Sequence, residues 1–123
     1  MTKLESIQKQ FEKSLNQFEK VLKKKKTEFI RDSAIKRFEL TFDLAWKLVK
    51  TFLEEVKGIR CSSPKDCFRE AFHQGILDHN PFWLEIVDLR NFSVHIYSEK
   101  LADDLYKKLP KILKMFKKLK NCL

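Results

Sequence analysis

The sequence predicts an all-α fold, an up-and-down bundle of four main helices and a short one. The 123 residues include only two glycines and three prolines, while leucine, phenylalanine, lysine and glutamate are abundant, which is a helical composition. Apolar residues recur at steps of three and four along most of the chain, the period of an amphipathic helix. A chain of this length buries enough surface for one hydrophobic core and not for two, so residues 1–123 are expected to form a single domain.

Long apolar stripes predict the first two helices. A first helix from about residue 3 to 25 carries the stripe Leu4, Ile7, Phe11, Leu15, Phe18 and Leu22, and it ends in the lysine run 23–26. The second helix begins between Thr27 and Ser33 and runs to about Lys57. Its central stripe is Ile35, Phe38, Phe42, Ala45, Val49, Phe52 and Val56, and it is widened by Leu40, Leu44, Trp46, Leu48 and Leu53. Because this is more apolar surface than one neighbouring helix covers, a homodimer is expected.

Start and stop signals predict three further helices. Residues 63–66, Ser-Pro-Lys-Asp, combine a cap, a first-turn proline and an acid, and they open a short third helix to about Leu77. Pro81 marks the start of the fourth helix, and Ser98 caps the fifth. Pro110 has no amide proton to donate, so it is expected to kink or break the fifth helix.

Cysteine usage predicts free thiols. Cys61, Cys67 and Cys122 are odd in number and form no C-x-x-C pair, so no disulfide framework is expected. Cys61 and Cys67 continue with His73 and His79 at six-residue steps, but on a helix such a step turns the side chain by about 240°. Successive members would face different directions, so we expect no metal site and no cofactor there.

The sequence lacks the features of a membrane or secreted protein. No apolar run approaches the roughly 20 residues of a membrane span. Residues 1–5 lack the uninterrupted apolar stretch of a secretion signal. We therefore expect a soluble, cytoplasmic protein with no membrane partner.

Positive charge is concentrated in two segments. Lysine and arginine outnumber aspartate and glutamate by 26 to 17, a net charge of +9. The excess lies in the lysine run 23–26 and beyond Asp104, where seven lysines occur with no acid. Four of the seven follow four-three-four spacing and form one face of the last helix: Lys107, Lys111, Lys114 and Lys118. Such a face is either a solvated helix surface or the electrostatic footprint of RNA or another polyanion.

The stretch Arg-Asn-Phe-Ser-Val-His-Ile-Tyr, from Arg90 to Tyr97, gathers chemically capable side chains near the end of an apolar helical run. Arginine offers a fixed fork of donors for phosphate, and histidine exchanges protons near neutral pH. On a continuous helix Asn91 and His95 share one face, while Arg90 and His95 are separated by roughly 140°. A two-fold partner would bring a second copy of each into one groove. The same residues also fit a helix end whose arginine and histidine bond to carbonyls and solvent.

Three blocks of the sequence resemble one protein family. Arg-Asn, three residues, His, one residue, Tyr is similar to the signature of the HEPN superfamily, the higher eukaryotes and prokaryotes nucleotide-binding domains. Two further blocks resemble the small nucleotidyltransferase substrate-binding proteins of bacteria and archaea. They are residues 35–47, Ile-Lys-Arg-Phe-Glu-Leu-Thr-Phe-Asp-Leu-Ala-Trp-Lys, and Arg69-Glu70-Ala71-Phe72 with Gly75, Asp78 and Trp83. The resemblance covers about residues 28 to 102. It departs at Asp43, where glutamate is more usual.

The resemblance implies a function for the stretch from Arg90 to Tyr97. Proteins of this kind are stand-alone partners of minimal nucleotidyltransferases, and the two form a toxin–antitoxin pair. This chain would be the toxin, a homodimeric, metal-independent ribonuclease. Arg90 would hold the scissile phosphate, His95 would act as general acid or base, and Asn91 would orient the groove. Tyr97 would be the hydroxyl to which the partner adds AMP.

The resemblance also assigns a role to acids of the second helix. In the family these acids lie toward a groove between subunits, which implies a substrate-binding role for Asp32, Glu39 and Asp43. No motif specifies the RNA target, for which tRNA is one candidate. A competing hypothesis is a non-catalytic subunit that presents a nucleotide or another acceptor to the transferase, using the same groove.

Overall fold

The computed structural model describes all 123 residues, which form five α-helices and no strand. The helices are α1 (Lys3–Leu22), α2 (Glu28–Lys57), α3 (Pro64–His73), α4 (Phe82–Ser93) and α5 (Glu99–Cys122). The all-α prediction is confirmed. The 30-residue α2 is central, since it packs against each of the other four helices. None of the five helices has both the length and the apolar character needed to span a membrane.

Side-chain caps fix where four of the helices begin. In Thr2, Thr27, Ser63 and Ser98 the hydroxyl accepts a hydrogen bond from the backbone amide three residues further on, at 3.0–3.2 Å. Each hydroxyl satisfies an amide that has no partner inside its helix. Gly58 ends α2 with a φ of 67°, a left-handed conformation that glycine adopts without steric cost. The predicted starts of α2, α3 and α5 agree with these caps.

Two helices end earlier than the sequence pattern predicts. α1 ends at Leu22 instead of about residue 25, because a longer helix would place Lys23 and Lys24 next to Lys20, three and four residues earlier, and like charges at these steps repel. α3 ends at His73 instead of about Leu77. Gly75 takes a φ of 70° and turns the chain out of the helix, while Leu77 still reaches the core with 5% of its surface exposed.

One hydrophobic core of 26 buried residues joins the helices. Phe116 of α5 is completely buried near its centre. Its ring centroid lies 6.0–6.5 Å from those of four other aromatic rings, Phe11, Phe18, Phe38 and Trp83. Because those rings come from α1, α2 and α4, this single side chain ties α5 to three helices.

Most of the apolar surface of α2 is buried by the other helices of the same chain. Leu48 and Leu53 are 1% and 0% exposed, and Trp46 is partly buried. Four helices of the same chain pack against α2, so most of its apolar surface is buried without a second subunit, and the homodimer stays a prediction. Among the residues that widen the stripe, Leu40 stays open with 41% of its surface exposed, and Leu44 is half-buried.

α5 continues through Pro110, so the prediction of a break was wrong. Pro110 itself is exposed, but Leu109 and Ile112 beside it are both completely buried. Their packing offsets the hydrogen bond that the proline cannot donate.

Cys61 and Cys67 form a disulfide bond, so the prediction of free thiols was wrong for these two. Cys61 lies in the α2–α3 connection and Cys67 lies in α3, and both are buried. Their six-residue spacing is not a helical step, because Cys61 precedes the helix. The connection folds back so that the two Cα atoms are 5.1 Å apart. Cys122 is free and exposed.

Candidate functional site

Arg90, in the last turn of α4, is held by two carboxylates of α2. Its Nε and Nη2 donate to the two carboxylate oxygens of Asp43, both at 3.3 Å. Its Nη1 donates to Oε2 of Glu39 at 3.4 Å. Glu39 and Asp43 are four residues apart and therefore share one face of α2. The Arg90 side chain is 22% exposed, so solvent still reaches it.

Ser93 extends this cluster to the end of α4. Its hydroxyl oxygen lies 2.6 Å from Oε2 of Glu39 and 2.7 Å from the carbonyl oxygen of Arg90. The single hydroxyl hydrogen can be donated to one of these acceptors at a time. The end of α4 is thereby fixed to α2. With two carboxylates facing one guanidinium, the cluster carries a net negative charge in the isolated chain.

Asn91 lies in the last turn of α4, and His95 lies two residues beyond its end. Asn91 is exposed and lines a cavity of about 230 Å³ together with Arg90 and Asp43. His95 is exposed in the turn after Ser93, and its amide donates to a carbonyl of the last turn of α4 at 2.8 Å. The prediction that Asn91 and His95 share one helical face was wrong, because α4 ends before His95.

Tyr97 projects from the α4–α5 loop, residues 94–98, and is 90% exposed. It lines a second cavity, of about 270 Å³, together with Asp32. The three acids of α2 that were expected to face one groove are therefore divided. Glu39 and Asp43 contact Arg90, whereas Asp32 lies at the cavity beside Tyr97.

Arg31, in the first turns of α2, is a buried charge that the sequence reasoning missed. It is 5% exposed, and its Nη1 donates to Glu99 at 2.6 Å and to Asp103 at 3.2 Å. Its Nε donates to Asp32 at 3.0 Å. The hydrogen bonds to Glu99 and then Asp32 raise the pKa of Arg31 above its ordinary value. The sequence contains a local signal for the burial of Arg31. Arg31 lies four residues before Ile35, the first residue of the apolar stripe of α2, so both residues lie on the same face of the helix.

The Arg31 cluster anchors the start of α5. Asp103 also accepts a hydrogen bond from Lys26 at 2.9 Å. The bonds from Lys26 and Arg31 hold the pKa of Asp103 below its usual value of 3.8. The α4–α5 loop is consequently tied to α2 at both ends, by Ser93 at its start and by Glu99 at its end.

The lysine face of α5 is exposed, and none of its members, Lys107, Lys111, Lys114 and Lys118, forms an ion pair. The nearby acids pair with other lysines. Lys108 contacts a glutamate of α4 at 3.5 Å, and Lys117 bonds to Glu19, whose pKa that bond lowers. Lys111 Nζ lies 4.0 Å from the centroid of the Phe82 ring, a cation–π contact. The face thus keeps its positive charge available to an external anion.

No group of three or more histidine, cysteine, aspartate or glutamate side chains is arranged to hold a metal ion.

Comparison with known proteins places the chain in a family. The model of the family described as nucleotidyltransferase substrate binding protein like matches residues 6–123. The chain is similar to the probable ribonuclease HepT of Haemophilus influenzae, with 29% identity over 84 residues. That similarity covers 65% of this chain and 58% of HepT, so the chain spans little more than half of that relative's length.

The fold is similar to a crystal structure of a protein from Thermus thermophilus. The two superpose with a TM-score of 0.84 at 32% identity, covering 89% of this chain and 94% of the other. The matched family, this structural likeness and the Arg-x4-His-x-Tyr motif at the end of α4 agree with one another. The chain belongs to the nucleotidyltransferase substrate-binding protein family of the HEPN superfamily.

Proposed function

We propose that this chain is the toxin of a HEPN and minimal nucleotidyltransferase pair, a metal-independent ribonuclease whose partner is its antitoxin. Membership of the family and similarity to a protein named as a probable ribonuclease support the proposal. The observation that carries it is the end of α4. There the partly exposed Arg90 and Asn91 line a cavity, and the turn that follows α4 carries the exposed His95.

The chemistry follows from the donors of Arg90. The Nε and Nη2 groups that bond to both oxygens of Asp43 are the pair that a phosphate accepts in the same geometry. In cleavage, the 2′-hydroxyl of RNA loses its proton to a base and its oxygen bonds to phosphorus. The bond from phosphorus to the 5′-oxygen breaks, and that oxygen takes a proton from an acid. His95 supplies one of these proton transfers, and the guanidinium stabilises the charge that develops on the phosphorane.

The ribonuclease proposal is tested by RNA cleavage in the presence of EDTA. Purified protein should still cleave RNA, while Arg90→Ala and His95→Ala should abolish cleavage and leave the helical circular dichroism spectrum unchanged. The variant His73→Ala removes an exposed histidine of α3 and serves as the control. Loss of cleavage on adding chelator would contradict the metal-independent mechanism.

The proposal includes a homodimer that brings a second copy of Arg90 and His95 to the groove. Phe92 and Val94, which flank Ser93, are 42% and 65% exposed and form apolar surface beside the site. Sedimentation at micromolar concentration should give twice the 14.8 kDa chain mass, and Val94→Glu should reduce it to that of one chain. A wild-type protein that sediments as a monomer would refute the dimer.

Tyr97 is proposed as the regulatory hydroxyl to which the partner adds AMP. In that step the phenol oxygen bonds to the α-phosphorus of ATP, pyrophosphate leaves, and the phenol proton passes to solvent. Its 90% exposure makes the phenol accessible to another protein. The added nucleotide would place a negative phosphodiester on the loop that also carries His95, and it would repel RNA. Incubation with the partner, ATP and magnesium should add AMP to the peptide containing Tyr97 and silence cleavage, and Tyr97→Phe should resist both. An unmodified Tyr97 in the presence of active partner would remove this part of the proposal.

A non-catalytic substrate-binding subunit is the second candidate. It is favoured by the contacts of Arg90, because three of its N–H groups already bond to Glu39 and Asp43, as in a structural ion-pair cluster. Such a subunit would present a nucleotide or another acceptor to the nucleotidyltransferase. RNA binding without cleavage by the unmodified protein would favour this second function.

The lysine face of α5 is proposed to attract RNA, with tRNA among the candidate targets. Its four unpaired cations support this role. Charge reversal at Lys107, Lys111 and Lys114 should weaken RNA association and flatten its salt dependence, because each phosphate contact releases counterions. If affinity and salt dependence do not change, the face is only solvated.

A further inference from the structure

A groove between α1 and α2 is the largest opening in the surface of the chain, at about 450 Å³. Three cations line it, Lys13 from α1 and Arg37 and Lys47 from α2. None of the three forms an ion pair within the chain, although most arginines and several lysines elsewhere do. The groove therefore presents three positive charges that form no ion pair within the chain, and its one carboxylate, Asp43, is bonded to Arg90.

The groove is connected to the Arg90 cavity through one residue. Asp43 lines both openings, and it is the single carboxylate in the wall of the groove. Its two oxygens accept the bonds from Arg90. A polyanion bound in the groove would therefore lie next to the Arg90 cavity, with Asp43 at the boundary between the two.

The remaining walls of the groove suit unpaired bases. Leu40, which is 41% exposed, and the half-buried Leu44 give it an apolar side. Gln10 and Gln17 of α1 add carboxamides that can both donate and accept hydrogen bonds. The Arg37 guanidinium can stack on an unpaired base and the carboxamides can bond to base edges, whereas in a duplex the bases are stacked and paired.

We propose that this groove binds the single-stranded segment of RNA that flanks the phosphate held at Arg90. The inference rests on the proposed function, since it assigns the RNA path to the same site. It names Lys13, Arg37 and Lys47 as phosphate contacts. The lysine face of α5 differs in that none of its four members lines the groove or the Arg90 cavity.

The test compares two triple variants that remove the same charge. Lys13→Gln, Arg37→Gln and Lys47→Gln change the groove, while Lys24→Gln, Lys25→Gln and Lys57→Gln change exposed lysines that form no ion pair and line neither opening. Affinity for a fluorescein-labelled single-stranded RNA oligonucleotide is measured by anisotropy over a range of salt concentrations. The His95→Ala background prevents cleavage during the measurement.

The groove triple variant should bind RNA about 10- to 100-fold more weakly than the control triple variant near 0.1 M salt. The slope of log K against log salt should fall by about 2, since each contact with a single strand contributes roughly 0.7. The single variants Lys13→Gln and Lys47→Gln should each lower the slope by about 0.7, which keeps the test decisive if the triple variant is unstable. Equal affinities for the two triple variants would overturn the inference.

Other outcomes separate this inference from the ribonuclease proposal. If wild-type protein binds RNA through the groove without cutting it, the ribonuclease proposal fails and the groove stands. If the groove triple variant cuts RNA with an unchanged kcat/KM, the groove inference fails and the ribonuclease stands. If it binds RNA normally but no longer binds the nucleotidyltransferase, the groove is a protein-docking surface and the inference is wrong.

Discussion

Replacing Asp43 with asparagine should strengthen RNA binding at Arg90. Asp43 occupies the Nε and Nη2 donors with two bonds of 3.3 Å, so a phosphate that binds there has to displace it. The pair lies near the surface, with Arg90 22% and Asp43 41% exposed. Ion pairs of this exposure contribute about 0.2–1 kcal/mol, and the two-bonded geometry favours the upper value. Asp43→Asn should therefore lower the Kd for RNA about fivefold.

The assay is fluorescence anisotropy of a labelled single-stranded RNA in the His95→Ala background. Asp104→Asn is the matched control, because it makes the same change of charge in a surface ion pair, that with Lys100, and lines neither the groove nor the Arg90 cavity. It measures the general effect of removing one negative charge near a polyanion. If Asp43→Asn tightens binding no more than Asp104→Asn, or weakens it, then Asp43 does not compete with RNA for the guanidinium.

Three further predictions concern stability. Phe116→Ala should lower the free energy of unfolding by about 3–5 kcal/mol, since it removes a completely buried ring that contacts four others. Urea denaturation measures this, and a loss below about 1 kcal/mol would contradict the described core. Reducing the Cys61–Cys67 bond should cost about 2 kcal/mol, because the bond closes a loop with a sequence separation of only 6. A denaturation midpoint that is the same with and without a phosphine reductant would argue against it. In acid, the lowered pKa values of Asp103 and Glu19 contribute stability that is complete above their usual values of 3.8 and 4.5 and is lost as the pH falls through the folded values. Thermal melts at decreasing pH should show this loss, and Asp103→Asn should reduce it; an identical loss in that variant would be the contrary result.

Local chemistry explains why the helices were predictable. The caps Thr27 and Ser98 and the terminal Gly58 act within a few residues of themselves, so they can be identified without knowing the fold. The effect of Pro110 on α5 was only partly predictable, because whether the helix continues depends on the burial of Leu109 and Ile112, which is a property of packing. The Cys61–Cys67 pair was missed because their proximity depends on how the α2–α3 connection folds back.

The sequence predicts where along the chain the candidate site lies, but not which residues its side chains contact. The composition of residues 90–97 marks the stretch, and the end of α4 falls within it. The partners of Arg90, however, lie 47 and 51 residues away in the chain, so its contacts depend on how α2 packs against α4. Glu99 is 68 residues from Arg31, and the same reason applies to that pair.

Two side-chain hydrogen bonds, one at each end of the α4–α5 loop, constrain the number of residues in the loop. Ser93 is tied to Glu39 and Glu99 is tied to Arg31, and the two α2 residues are eight positions apart, or about 12 Å along the helix. The five residues 94–98 have to span a fixed distance between these ties. Inserting or deleting one of these residues would break one of the two hydrogen bonds or rotate α5 about its own axis. Changing an exposed side chain of the loop would leave both hydrogen bonds and the orientation of α5 unchanged. Natural variation in this loop should therefore conserve the number of residues even where it changes their kind.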